Sequence, residues 1–302
     1  MRVIITGGSG LIGSHLARSL GNDGHQIIVL SRDSQRNRIP AGAQGVRWDG
    51  STPRGWGHLI DKDTAIINLA GEPIRAFRWS ERHKQRILGT RIEVARAVLQ
   101  AVKDAREKPR VIIQPSSTGY FGDRGDEILT DASGPGSGFR ADACKLWERG
   151  VPAGDTRRVI ARMGFVLSPD GGFLPAMRFA ALMGGKQFGT GQQYISWVHL
   201  EDVIAAIRFF MLTDSTSGVY NVTAPQPCTN AEFMTALHSV THLPSVLEFR
   251  DWMINAALGK EQAVVVTDSQ RVIPERLTQA GFRFKYTEIE WTLRQLLRGS
   301  GR

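Results

Sequence analysis

The stretch TGGSGLIG, Thr6 to Gly13, constrains this chain more than any other eight residues. It follows the apolar run Val3–Ile5 and opens the amphipathic stretch Leu11–Leu20. Gly7, Gly10 and Gly13 form G-x-x-G-x-x-G, which permits a tight turn and lets backbone approach a ligand closely. The helix that follows presents free N–H groups and the positive end of its dipole, a ready site for phosphate oxygens. Glycine clusters alone are often mere turns, but a strand before and a helix after is the context of a dinucleotide cradle. Thr6, Gly7, Gly10, Leu11, Ile12 and Gly13 are the residues expected at the cofactor.

Further along, short β-rich runs alternate with longer helical patterns. Strands are expected at Val3–Ile5, Gln26–Leu30, Ala65–Leu69, Arg110–Gln114 and Val159–Met163, with Val219–Val222 as one more. Helices are expected at Leu11–Leu20, Ser80–Val102 and Phe139–Gly150. Apolar strands spaced by helices predict an α/β fold, a doubly wound parallel sheet of Rossmann type with helices on both faces. Residues 166–195 and 224–302 break the rhythm, first Gly-rich and then mostly helical. The expected division is a nucleotide-binding domain of 1–165 plus 196–223, and a smaller substrate lobe of 166–195 plus 224–302.

The end of the second strand bears on the choice of dinucleotide. An acidic residue there usually accepts from the ribose 2′-hydroxyl of NAD. Here the chain reads Leu30-Ser-Arg-Asp-Ser-Gln-Arg36, with Ser31 at that point and Arg32 next. A hydroxyl followed by guanidinium groups suits a 2′-phosphate, because the Arg fork matches phosphate oxygens. NADP(H) is favoured over NAD, although Asp33 leaves NAD open, and Arg32, Arg36 and Arg38 also read as plain loop residues of a basic protein.

Composition narrows the remaining classes. The formal charge of +9 is dispersed, with no run of five basic residues, which argues for solvated surface and against nucleic acid. No long apolar run suggests a membrane span, and a cleaved signal peptide is not expected. Cys144 and Cys228 lie far apart in no metal-ligand spacing, so no metal is expected and a reducing, cytoplasmic setting is the simplest reading. A second copy of the chain is the protein partner left open.

The chain resembles the extended short-chain dehydrogenase/reductase superfamily. The early glycine motif carries that resemblance, with Asn68-Leu-Ala-Gly71 and Pro115-Ser-Ser-Thr-Gly-Tyr-Phe-Gly122 after later strands. More narrowly it is similar to the atypical NAD-dependent epimerase/dehydratase-like branch that includes the bacterial YfcH-type proteins. NLAGEPI (Asn68–Ile74), Arg78-Trp79 with Lys84 and Arg91, Trp147-Glu148, GGKQFGTGQQYISWVHLED (Gly184–Asp202), Asn221–Pro227 and Val272–Phe284 support this. The resemblance implies Leu69, Ala70 and Gly71 at the cofactor, Ser117 as the catalytic hydroxyl, and Arg78 near the cofactor–substrate cleft. Ser116 and Thr118 stand in for Ser117 if the register slips.

One departure is conspicuous. The superfamily's Tyr-x-x-x-Lys should follow Ser117; twenty-four residues on stands Ala141, and Lys145 lies four beyond it. The resemblance gives Lys145 a nicotinamide-ribose contact, while Ala141 offers no proton. Loss of a general acid–base typically costs about 10²–10⁴ in rate. Tyr120 is the nearest phenol in sequence and the substitute considered first; Asp142, Cys144 and His199 are weighed beside it and each has a structural reading. Gln192 and Tyr194 in GTGQQY are candidate substrate contacts. The expected activity is an NADP(H)-dependent oxidoreductase or sugar-nucleotide-epimerase-like reaction on an unknown small molecule. The alternatives are a non-catalytic NADP(H) redox sensor acting through a protein partner and, more weakly, an RNA-binding protein.

Overall fold

The computed structural model describes residues 1–32, 39–72, 80–150 and 154–297. Its centre is a seven-stranded sheet. Five strands are β1 (Arg2–Thr6), β2 (Gln26–Ser31), β3 (Gln44–Arg47), β4 (Thr64–Asn68) and β5 (Val111–Ser117); the others are Arg158–Met163 and Gly218–Val222. Starting from Gly218–Val222, the spatial order is Arg158–Met163, β5, β4, β1, β2 and β3. Every pairing is parallel.

Among the described residues the α-helices are, in chain order, α1 (Leu11–Asn22), α2 (Glu81–Asp104), α3 (Phe139–Arg149), α4 (Leu174–Leu182), α5 (Leu200–Leu212), α6 (Asn230–Thr241), α7 (Asp251–Leu258), α8 (Lys260–Thr267), α9 (Glu275–Gln279) and α10 (Ile289–Leu297). Strand side chains alternate between two apolar layers. Val3, Ile5, Ile27 and Val29 join Leu16 and Leu20 of α1 and Val203, Ile207 and Phe210 of α5. Ile4, Ile28, Leu30 and Ile66 face the other way, onto Val94 and Val98 of α2 with Trp48 and Trp56. Each such side chain, fully buried, contributes roughly 1.5–3 kcal/mol. This is the doubly wound architecture expected from the apolar runs.

The strand order places β1 and β4 side by side while the chain leaves β1 for β2 in the other direction. Ligands of such sheets bind at the carboxyl ends of the strands at this reversal. A third apolar core stands beyond the sheet, gathering Leu174, Trp197, Phe233, Leu237, Ile254 and Leu293 from α4, α6, α7, α10 and the segment before α5. The Asp202 carboxylate on α5 ties this lobe to the sheet domain, accepting from the Lys285 N–H at 2.9 Å and the Tyr286 N–H at 3.0 Å. The short edge strand β3 was not anticipated; its residues are mostly exposed and form no apolar run.

Candidate functional site

The glycine turn folds as its sequence requires. Gly7 has φ +67°, in the left-handed region, and a Cβ there would lie 2.9 Å from the Leu69 carbonyl. At Gly13 a Cβ would lie 2.5 Å from the Gly7 carbonyl oxygen and 2.7 Å from Gly8 Cα. Gly10 is the N-cap of helix α1, which has no side-chain cap and no acidic residue in its first turn. Its first N–H groups are therefore left to a ligand, and the dipole favours an anion there.

Beneath this turn runs a buried relay. The Thr6 hydroxyl donates to Asn68 Oδ1 at 2.8 Å, and Asn68 Nδ2 donates to Gln114 Oε1 at 2.8 Å. The Ala70 N–H in turn donates to Thr6 Oγ1 at 3.0 Å. Thr6 is fully buried, so it acts by fixing the loop after β4 against the glycine turn rather than by lining the cavity.

Two adjoining cavities share Gly7, Gly10 and Leu69 in their walls. One of about 390 Å³ runs along the end of β2, lined by Ser31, Arg32, Trp48, Ala70 and Gly71 among others. The other, about 830 Å³, continues past Leu11, Ile12 and Gly13 to Ser117, Gly164, Phe165 and Val166. Two adjoining chambers with an uncapped helix N-terminus between them suit a dinucleotide: pyrophosphate at α1, adenosine at β2, nicotinamide toward Ser117. Arg32 is exposed at the β2 end.

At the Ser117 end the arrangement departs from the expected register. Ser117 lines the cleft, and its Oγ accepts from the Gly119 N–H at 3.1 Å, capping the short helix Thr118–Phe121. Helix α3 turns Arg140, Ala143, Cys144 and Trp147 to the cleft. Lys145 does not line it; its Nζ pairs with Asp142 Oδ1 at 2.6 Å. Ala141 is buried and is also absent from the lining. The α3 positions that face Ser117's cleft are thus Phe139, Arg140, Ala143, Cys144 and Trp147, whereas the spacing implied 141 and 145.

Glu148 explains the register. Four residues beyond Cys144, its carboxylate accepts from Arg162 Nε and Nη2, both at 2.9 Å, and from the Ser116 hydroxyl at 2.7 Å. This pair pins α3 to β5 and the strand beside it, and so determines which face of α3 meets the cleft.

None of the chain's four tyrosines lines the cleft. Tyr120 lies under the Arg162 guanidinium, 3.4 Å from ring centroid to Cζ, and packs edge-on to Phe121. Tyr194 pairs with Thr229 across a small antiparallel ladder and stacks under Arg271 at 4.7 Å; Gln192 is exposed nearby. Neither reaches the cleft, contrary to the substrate contacts expected of them. Arg78, with Trp79, lies outside the described residues. His199 caps α5, its Nδ1 accepting from the Glu201 N–H at 3.0 Å, and stacks on Tyr286 at 3.6 Å. Burial lowers its pKa to about 4, so it is neutral near pH 7.

Burial raises the Cys144 thiol pKa, partly offset by the Arg140 charge, and keeps the thiol protonated. Arg91 stacks over Trp147 at 4.7 Å while its Nη1 donates to the Glu72 and Ile87 carbonyls, each at 3.0 Å. Sequence reasoning missed the cleft positions of Arg140 and Trp147, which a helical wheel anchored on Glu148 would have found. It also missed Gln262 and Val265, which α8 brings from the far end of the chain with no local signal. Among the described residues no cluster could hold a metal ion, and no helix is long and apolar enough to cross a membrane.

A parallel sheet with a glycine-lined helix N-terminus at its reversal point, a serine at the end of β5 and a helical lobe closing the cleft define a short-chain dehydrogenase/reductase-like protein. Residues 3–223 match the NAD dependent epimerase/dehydratase family, and the chain belongs to it. Residues 251–296 match a domain of unknown function, DUF1731. The epimerase family protein YfhF of Bacillus subtilis is 34% identical over 98% of both chains. The chloroplastic SDR39U1 homolog of Arabidopsis thaliana is 35% identical over 98% of this chain and 87% of its own. The crystal structure of human SDR39U1 (isoform 2) with NADPH superposes with TM-score 0.89 at 27% identity, covering 99% of this chain and 100% of that one.

Proposed function

We propose that this chain is an NADP(H)-dependent oxidoreductase or epimerase-like enzyme acting on a small molecule held between Ser117 and the helical lobe. The observation that carries the reading is the pair of adjoining cavities, with Gly7, Gly10 and Leu69 in common, that run from the β2 end past the uncapped N-terminus of α1 to Ser117. Arg32 at the β2 end and the NADPH in the human relative's crystal support the phosphorylated dinucleotide. When bound, NADP(H) supplies or accepts a hydride. The residues of the chain do the rest: α1 holds pyrophosphate, Ser117 Oγ donates to a substrate oxygen, and the apolar walls around Phe165 and Val166 exclude water.

The test is a hydride-exchange screen. NADPH-loaded protein is offered carbonyl compounds and nucleotide sugars while nicotinamide absorbance and product are followed. Turnover that falls at least about 10²-fold in Ser117→Ala supports the reading, by the magnitude of lost positioning and acid–base groups.

The absence of a tyrosine from the cleft favours a second reading, a redox sensor that binds NADP(H) without chemistry. It predicts tight cofactor binding, no exchange with any substrate, and capture of a protein partner that differs between NADP⁺ and NADPH. Partner capture indifferent to redox state would remove it.

A further inference from the structure

We propose that Arg140 is the anchor for a carboxylate on the substrate, so that this cleft takes a small monocarboxylate with a flat apolar body. The proposal rests on the dinucleotide reading above and deepens it.

Among the described residues, the cleft's lining carries two guanidinium groups, Arg91 and Arg140, and no carboxylate or lysine. Arg91 Nη1 is committed to two backbone carbonyls. Arg140 is not satisfied in this way. Its side chain is 12% exposed, yet its Nη1 meets only Asp268 Oδ2 at 3.7 Å and the Val264 carbonyl at 3.5 Å. Its Nε and Nη2 have no acceptor among the described residues. They face Gly119, where a Cβ would sit 3.2 and 3.3 Å from them, so glycine keeps the fork clear.

A buried cation with loose partners is costly, and a bidentate carboxylate is the partner that best removes that cost. Arg91 is less available to an anion, since its Nη1 is held by two carbonyls and its guanidinium stacks over Trp147 at 4.7 Å. Asp268 is a weak internal competitor: burial raises its carboxyl pKa to about 6, and it stands off at ion-pair rather than hydrogen-bond distance. The walls beside the fork are rings. Phe165 and Phe173 lie tilted at 31° with ring centroids 4.3 Å apart, and Trp147 also lines the cleft, its indole N–H buried and unpartnered. Gln262 Oε1 is likewise buried in the lining without a partner. Aromatic faces with a few unspent polar atoms suit a planar ligand body.

The probes are benzoate, benzamide and phenyl phosphate, titrated into NADPH-saturated protein by ligand-observed NMR. NADPH saturation is measured first by fluorescence, so failure of the cofactor reading shows separately as absent NADPH binding. The proposal predicts that benzoate binds and that benzamide binds at least about tenfold more weakly, since it lacks the charge. Arg140→Met should weaken benzoate by a similar factor with NADPH affinity unchanged. Should Arg140→Met fail to fold, Asp268→Asn decides the matter: removing the competing carboxylate should tighten benzoate several-fold. Phenyl phosphate binding better than benzoate, benzamide matching benzoate, or either variant leaving benzoate affinity unaltered would overturn the proposal.

Discussion

Replacing Glu148 by Gln probes the contact that orients the cleft-facing side of α3. The two side chains of the pair are 10% and 5% exposed for Glu148 and Arg162, and the carboxylate also accepts from Ser116. Breaking a buried ion pair from one side costs about 3–5 kcal/mol, because the surviving charge is stranded. Gln keeps one carbonyl oxygen for Arg162 but turns an amide N–H₂ toward it, so the lower end, about 3 kcal/mol, is expected. At roughly 2.1 cal/mol/K of unfolding entropy per residue, each kcal/mol is worth about 1.6 °C in a chain of 302 residues, so the melting temperature should fall by about 5 °C. Arg162 Nη1 already lacks a partner in the folded state, so little slack remains to absorb the change. Circular dichroism melts and urea titrations read the effect, with exposed Arg149→Gln on the same helix as a control expected within about 0.5 kcal/mol. Adding Arg162→Met to the Glu148→Gln variant should recover part of the loss by removing the stranded cation. A Glu148→Gln melting temperature within about 2 °C of wild type would refute the reasoning.

Two further outcomes follow from the same geometry. Gly13→Ala should abolish dinucleotide binding and lower stability, because its Cβ meets only backbone, at 2.5 Å from Gly7 O and 2.7 Å from Gly8 Cα; NADPH titration beside a melt reads both, and retained affinity would contradict the cradle. His199 has a folded pKa depressed to about 4 by burial, so the unfolded chain binds the extra proton first as pH falls. Its contribution is present above about pH 6.5 and is lost toward pH 4, amounting to about 2 kcal/mol after allowance for partial solvent screening. Urea midpoints across that range should fall more steeply in wild type than in His199→Gln; parallel slopes would contradict the assignment.

The sheet was legible because its strands are buried on both faces and read as unbroken apolar runs, as in Val3–Ile5 and Ala65–Ile67. The glycine turn was legible because close backbone approach demands those residues wherever they occur. The register of α3 was not. Counting from Ser117 crosses the loop Gly122–Gly138, whose path a spacing argument cannot fix, and the pairing of Glu148 with Arg162 decides the face instead. Gln192 and Tyr194 were misplaced because Gln193, between them, anchors their turn to the helical lobe, its Nε2 donating to the Phe188 and Val266 carbonyls. Gln262 reaches the cleft only through the packing of α8, which no local pattern encodes.

The most direct test of the central claim is a fluorescence titration of the purified protein with NADPH and with NADH at fixed salt, beside an Arg32→Ala variant. The account predicts NADPH binding at least about tenfold tighter than NADH, a difference of about 1.4 kcal/mol, with the preference lost in Arg32→Ala. Equal affinity for both dinucleotides, or no binding of either, would contradict it.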